Sequence, residues 1–375
     1  MKNRLRNTIQ RLIDFLRGGQ RLRIAAYLAH IEKLVADEDW ERASALAKEA
    51  AVVAQQAKHP GLVSRIGRML EQLGEFEAAA PIRFVGERRH YRAQLPIWDG
   101  EEIGNRTLLI DQVFDHLGQQ LRHARLIRQA ARRSGKCIVL AESRLIPLLQ
   151  RTFSDTVVVD RARKSAVLGQ ADQMTNYWDL AKWFAKSAAS IEAGFVPLEA
   201  DRGQVEIFSA QYSAQSGRPL VGIAWGTRNK RRQIPALTDW RVLLSGIEAT
   251  FVSLQYGEVD ADIDLLTDSG SVRIFNDRSV DQLADMDRFA AQVASLDFVA
   301  TIDSTIAHTA CALGKRTIVL TDDGPSHWPL RGDRTPWYPT AIIVRRRARA
   351  WMDAMAEARL RLERELSLIS SRTHQ

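Results

Sequence analysis

The sequence predicts an α/β protein in which two doubly wound halves follow an all-helical region. Three observations predict it. Residues 1 to 93 are rich in Ala, Leu, Glu, Arg and Gln, and their apolar positions recur with the helical period of about 3.6 residues. From about residue 95 the pattern changes to short apolar runs without alternation, "RTLLIDQ", "KCIVLAE" and "DTVVVD", set between helix-like stretches such as "GQQLRHARLIRQAARR". A second series follows Pro219: "LVGIAWG", "TFVSLQYG", "VRIFND", "DFVATID" and "RTIVLTDD", with helical segments between them. Such runs are strands buried on both faces, and the intervening helices make the sheets parallel. The expected bounds are a helical region at 1–93, an α/β half at 94–200, a second at 201–350 and a C-terminal helix at 351–375, with the break between the halves inside 196–219.

Composition narrows the function classes. A chain of 375 residues with 45% hydrophobic and 26% charged residues reads as a soluble globular protein of two or three domains. It has no apolar run of about 18 residues, and "MKNRLRNTIQRLIDFLRGG" lacks the uninterrupted apolar stretch of a secretory signal. A cytoplasmic location is expected. Cys137 and Cys311 each sit in an apolar stretch, which suits buried free thiols in a reducing compartment. A net charge of +8 suits nucleic acid, an anionic membrane or anionic small molecules. The basic residues are spread along the whole chain without a nucleic-acid-binding signature, so nucleic acid is set aside.

Within the helical region, Leu5, Ile9, Leu12, Ile13 and Leu16 form one apolar stripe opposite Lys2, Arg4, Arg6, Arg11 and Arg17. This segment packs as the first helix of a bundle, or residues 1–17 make peripheral contact with an anionic membrane. A weak repeat follows. "LVADEDWERASALAKEAA" aligns with "MLEQLGEFEAAAPIRFVGE", placing Trp40 on Phe76 and Ala43 on Ala79 with a period of 36 residues. A bulky aromatic entering a helix and a small residue one turn later is the packing device of tetratricopeptide-type arrays.

The chemistry-bearing residues lie at strand ends in the second half. Gly226, Thr227, Arg228, Asn229 and Lys230 follow "LVGIAW" and offer a turn, a hydroxyl and two cations for phosphate oxygens; the same residues also read as a solvated basic loop. Gln255 and Tyr256 could flank a base or ribose. In "TIDSTIAHTACALGK", Asp303 ends a strand, Ser304 or Thr305 is the N-cap of a helix, and His308 lies one turn in. A helix start presents N–H groups and a positive dipole end to an anion; alternatively the hydroxyls merely cap and His308 is a core residue. "DADID" at 260–264 lacks the glycine of an EF-hand loop, and no P-loop, nucleophile elbow or zinc motif is present.

Taken together, these stretches resemble the bacterial tetratricopeptide-repeat glycosyltransferases of the heptosyltransferase-like (family 9) group, which have the GT-B fold. The likeness runs from "LPIWDGEEIGNRTLLI" through "VGIAWGTRNKRRQIPALTDW", "FVSLQYGE" and "DFVATIDSTIAHTACALGK" to "HWPLRGDRTPWYPT". It implies that the second half binds a nucleotide-activated sugar and the first half presents the acceptor. Trp225, Thr227, Arg228 and Lys230 would then face the donor, Gln255 and Tyr256 its nucleoside, and Asp303, Ser304, Thr305 and His308 its phosphates or ribose. The family's general-base aspartate is replaced: Gln119 stands at that position, so either Asp115 or His116 substitutes, or the acceptor is activated differently, or catalysis is lost. The implied reaction is an inverting, metal-independent transfer without a bound cofactor. Its acceptor is a Ser/Thr hydroxyl of a protein such as flagellin docked on the helical region, or a lipopolysaccharide-type glycan; a catalytically degenerate scaffold is the rival reading.

Overall fold

The computed structural model describes residues 19, 22–56, 59–214, 218–268, 270, 272–324, 326–347 and 349–373. The apolar stripe at residues 5–16 and the membrane-contact segment 1–17 therefore lie outside the described residues. The chain divides into two compact units, one holding the helical residues through Ala93 with Ala181–Ile191 and Pro329–Gly332, the other the remainder.

The first unit is built on helices α1 (22–36), α2 (Trp40–Gln56), α3 (Pro60–Gln72) and α4 (Phe76–Ala79). Ile24, Leu28 and Ile31 of α1, Ala43, Ala47, Ala50 and Ala54 of α2, and Val63, Ile66 and Leu70 of α3 share one core. Their spacing of three or four residues is the helical stripe legible in the sequence. Trp40 and Phe76, which the sequence repeat aligns, each open a helix, two residues after a positive-φ turn at Glu38 (φ 57°) and Gly74 (φ 88°). The copies then diverge, because α2 runs for 17 residues and α4 for four.

The second unit holds two parallel sheets. The first contains β1 (Thr107–Asp111), β2 (Lys136–Ala141), β3 (Val157–Asp160) and β4 (Gln173–Asn176) in the order β3-β2-β1-β4. Strand β4 was not read from the sequence, since Met174 is its only apolar residue. The Pro96-Ile97-Trp98 stretch runs beside it: Trp98 donates its backbone N–H to Met174 O at 2.8 Å, and Met174 donates to Pro96 O at 2.9 Å. The second sheet contains β5 (Leu220–Ala224), β6 (Thr250–Ser253), β7 (Ile274–Phe275), β8 (Phe298–Ile302), β9 (Thr317–Thr321) and β10 (Ala341–Arg345), ordered β10-β9-β8-β5-β6-β7. Numbered from its own first strand, this is 3-2-1-4-5-6, the doubly wound order whose ligand crevice opens where the winding reverses, here between β5 and β8. The first sheet reverses likewise between β1 and β4.

The helices that matter below are α5 (Leu117–Ala124), α6 (Ile146–Thr152), α7 (Arg202–Ser213), α8 (Met286–Ala294), α9 (Thr305–Ala312) and α10 (Trp351–Thr373). Ala354, Met355, Ala358 and Leu362 of α10 join Val221, Phe251 and Ile318 in the core of the second sheet. No described helix is long and apolar enough to cross a membrane.

Among the contacts that join the halves of this unit, two involve α6 and α5. Arg151 of α6 grips both carboxylate oxygens of Asp287 on α8, at 3.0 and 2.9 Å, the bidentate geometry that strengthens such pairs. At the other, α5 meets α9 through a glycine: a Cβ on Gly118 would stand 2.6 Å from His308 Cδ2 and 3.2 Å from Cγ. The imidazole cannot swing away cheaply, because it is buried and stacked on Trp328 at 5.1 Å. Helix propensity alone favours alanine over glycine by about 1 kcal/mol, while overpacking costs about 1–3 kcal/mol. Gly118→Ala is expected to lower stability in urea unfolding, and His308→Ala in that background to recover part of the loss; an increase for the single variant would disprove the close approach.

Candidate functional site

The loop leaving β5 passes over the reversal point of the second sheet and is fixed by side chains from three neighbouring strands. Gln255, just beyond β6, accepts the backbone N–H groups of Trp225 at 3.0 Å and Gly226 at 2.7 Å. Tyr256 accepts the Arg228 N–H on its hydroxyl at 2.8 Å, and the Arg228 guanidinium lies 5.2 Å from its ring centroid. Thr227 Oγ1 accepts from Asn229 N at 3.2 Å. Arg228, Asn229, Lys230 and Arg231 are exposed.

Beyond these, Arg232 turns back to the sheet. Its guanidinium lies 2.5 Å from Asp303 at the end of β8 and 3.5 Å from Asp322 at the end of β9. Asp322 also accepts Gln233 N at 2.9 Å and Gly324 N at 3.2 Å, while its carbonyl takes a hydrogen bond from Arg345. Burial pushes the Asp303 carboxyl above the usual carboxylate range, opposed by Arg232 and the Trp328 indole. Burial pushes the Arg345 guanidinium down, opposed by Asp323, Asp322 and Asp303. The sequence reading missed Arg232 and Asp322; "TRNKRRQ" shows the cation but not which carboxylates it returns to.

Helix α9 starts at the end of β8. Ser304 is its N-cap by position, with extended backbone (φ −153°, ψ 177°), yet its side chain makes no capping hydrogen bond, and its buried Oγ has no hydrogen-bond partner. Ser304 is therefore an N-cap by position and not by side-chain bonding. Thr305 is half-buried at the first helical position, where backbone N–H groups lack intrahelical acceptors.

Three predicted ligand contacts stand elsewhere. Trp225 is 5% exposed, packs in the sheet core, and donates Nε1 to Asp262 at 2.8 Å, so it does not face a donor. The Gln255 carboxamide oxygen is committed to the β5 loop rather than to a nucleoside. His308 bonds Tyr338 through Nδ1 at 3.1 Å and is buried between Trp328, Tyr338 and Gly118. Burial pushes its pKa down to about 3, with Arg122, His123 and Arg232 adding to the effect. A neutral imidazole in that place can contribute a hydrogen bond but no positive charge. Asp262 and Asp260 of the "DADID" stretch are likewise engaged, Asp260 with Arg278 and Asn276.

In the first half, the loop after β1 leaves Asp115 and His116 exposed, and neither side chain makes a hydrogen bond within the described residues. Gln119 is one turn into α5, buried, and its Oε1 has no partner. Asp111, closing β1, pairs with Lys164 at 2.6 Å. The tryptophan of the "WYP" segment seats against α5: Trp337 has the Arg122 guanidinium 4.2 Å from its ring, and its carbonyl accepts from Arg125.

The His308 shift has a pH consequence. Between its ordinary value of 6.5 and about 3, the unfolded chain holds a proton that the folded chain excludes. Stability should therefore fall as pH drops through this window, by about 1.4 kcal/mol per pH unit from this group. Urea unfolding at pH 7, 6 and 5 should show a steeper fall for wild type than for His308→Asn; parallel slopes would count against a buried neutral imidazole.

Comparison with known proteins places the fold. No family model matches the chain. The sequence is 28% identical to Protein FlbA of Caulobacter vibrioides over 271 residues, which is 66% of this chain and 45% of FlbA, so the chain spans less than half of that relative. The structure of E. coli ADP-heptose LPS heptosyltransferase II matches 72% of this chain and 100% of its own, with TM-score 0.51 and 14% identity. The family 9 glycosyl transferase from Veillonella parvula DSM 2008 matches 65% of this chain and 87% of its own, with TM-score 0.48 and 11% identity. With two parallel sheets that both reverse at their first strand, the likeness to the heptosyltransferase makes this a GT-B-type pair of Rossmann-like halves preceded by a helical region.

Proposed function

We propose that the protein is a glycosyltransferase that moves a sugar from a nucleotide-activated donor to an acceptor hydroxyl. One observation supports this above the rest: at the β5/β8 reversal point, the uncapped start of α9 with its unpartnered Ser304 hydroxyl stands beside a loop whose Arg228 and Lys230 pair with no carboxylate among the described residues. An anion belongs there. The fold is shared with a structure described as an ADP-heptose LPS heptosyltransferase, which makes a sugar nucleotide the anion to test first.

In the reaction, the acceptor oxygen forms a bond to the anomeric carbon as the bond to the nucleotide oxygen breaks, inverting the configuration. Negative charge grows on the leaving diphosphate, where the α9 N–H groups and the loop cations stabilise it; no step calls for a metal. The acceptor's proton must go to a base. Gln119 cannot take it, since an amide has no basic site at neutral pH. Asp115 carries the role best: it is an exposed carboxylate without a partner on the loop after β1, with His116 beside it. The acceptor class follows the sequence resemblance, a Ser/Thr hydroxyl of a protein such as flagellin recruited by the helical region in the cytoplasm, with a lipopolysaccharide-type glycan as the second candidate. The buried Gln119 favours one further reading, a scaffold that binds sugar nucleotides without turning them over.

Two measurements separate these. Thermal unfolding with ADP, UDP, GDP and CMP and their sugars should show stabilisation by one nucleotide class, about 2.7 kcal/mol at a hundredfold excess over Kd. No response from a folded sample would sink the donor reading. Donor turnover by the purified protein should drop roughly 10²-fold or more in Asp115→Asn with donor affinity retained. Binding without turnover in wild type would establish the scaffold.

A further inference from the structure

The loop from Gly226 to Gln233 is held at both ends and in the middle. Gln255 Oε1 takes the N–H groups of Trp225 and Gly226, the Tyr256 hydroxyl takes that of Arg228, and Asp322 takes that of Gln233. Inside the loop, Thr227 Oγ1 accepts from Asn229 N, Asn229 Oδ1 from Arg231 N at 3.1 Å, and Asn229 O from Arg232 N at 3.0 Å. These N–H groups point at protein acceptors. The loop is therefore unlike a glycine-rich phosphate nest, whose backbone N–H groups face the anion. What it offers outward is side chains: Arg228, Lys230 and Arg231 are exposed, and none pairs with a carboxylate among the described residues.

We infer that Asp322 and Gln255 are positioning residues that brace this loop as an arch, so that Arg228, Lys230 and Arg231 hold a diphosphate rather than a single phosphate against the start of α9. The inference rests on the sugar-nucleotide reading and deepens it. Closely spaced like charges repel one another, and a free loop would splay them into solvent. Asp322 opposes that by tying Gln233 and Arg232 to the end of β9, and Gln255 by tying the other foot to the end of β6. Preorganised cations then bind a multiply charged anion without the entropy cost of gathering them. Arg232 is not among the outward charges, because Asp303 and Asp322 neutralise it.

The test measures affinities of nucleoside, nucleoside monophosphate and nucleoside diphosphate for the adenine, uracil, guanine and cytosine series by calorimetry. Wild type should gain most on adding the second phosphate. Asp322→Ala should lose that gain by about tenfold or more while nucleoside affinity stays unchanged. Asp322→Asn should recover part of it, because its carbonyl oxygen still accepts from Gln233. Gln255→Leu, read the same way, carries the test if the alanine variant does not fold. Brief trypsin treatment should cut Asp322→Ala after Arg228, Lys230 or Arg231 faster than wild type, with diphosphate slowing the cut in wild type. Equal loss of nucleoside and diphosphate affinity, or unchanged diphosphate gain and cleavage in both variants, would overturn the positioning role alone. Absence of diphosphate binding in wild type would remove the sugar-nucleotide reading with it.

Discussion

The carboxyl edge of the second sheet depends on one buried ion pair, Arg232 with Asp303. The carboxylate is 8% exposed and the guanidinium side chain 14%. Neither charge could stay in so dry a place alone; removing one partner of such a pair leaves the other uncompensated, at a cost of about 3–5 kcal/mol. Asp322 and Arg345 extend the pair so that charges from the ends of β8, β9 and β10 and from the β5 loop meet in one network. The network determines where the loop can go. A chain leaving β5 that must return Arg232 to the end of β8 stays at the carboxyl edge of the sheet, beside its reversal point.

A second constraint acts between the halves. Gly118 lets α5 approach α9 until the His308 ring fills the space of a missing Cβ. His308 is consequently dry and neutral, and its Nδ1 is engaged by the Tyr338 hydroxyl. The adjoining Trp337 lies under Arg122 and Arg125. One short segment after β9 thus touches α9 through Tyr338 and α5 through Trp337. Two buried oxygens without partners, Gln119 Oε1 on α5 and Ser304 Oγ before α9, belong to the helices that meet there, one from each half. Buried acceptors of this kind hold water or ligand in a working protein.

These constraints explain what the sequence could and could not show. The strands around β1, β2, β5, β6, β8 and β9 were legible because burial on both faces removes polar residues from them, and period is a local property. Strand β4, "QMTN", carries one apolar residue and was invisible to that test. At the site, position at a strand end was legible and side-chain direction was not. Trp225 and Gln255 follow their strands as the resemblance implies, yet Trp225 turns to Asp262 and Gln255 to the backbone of the next loop. His308 stands one turn into α9, and its ring meets Gly118, nearly two hundred residues earlier, a contact that no local pattern shows. Arg232 lay among neighbouring cations that sequence cannot rank; only its partners set it apart.

In the proposed reaction, the glutamine at 119 changes where proton transfer can happen without changing where leaving-group charge is held. There a donor's diphosphate would be opposed by α9 and the arch, all in the second half, and none of those groups depends on Gln119. A positioned base contributes about 10²–10⁴ to rate, the same order as one well-placed donor to a developing oxyanion. A base displaced to Asp115 would sit outside α5 on its leading loop, in water rather than in the buried α5/α9 contact. Exposure lets solvent compete with such a carboxylate for the acceptor's proton and position. An acceptor that brings its own surface to cover Asp115 would remove that competition. On the proposed reading, a protein substrate does this more completely than a small glycan.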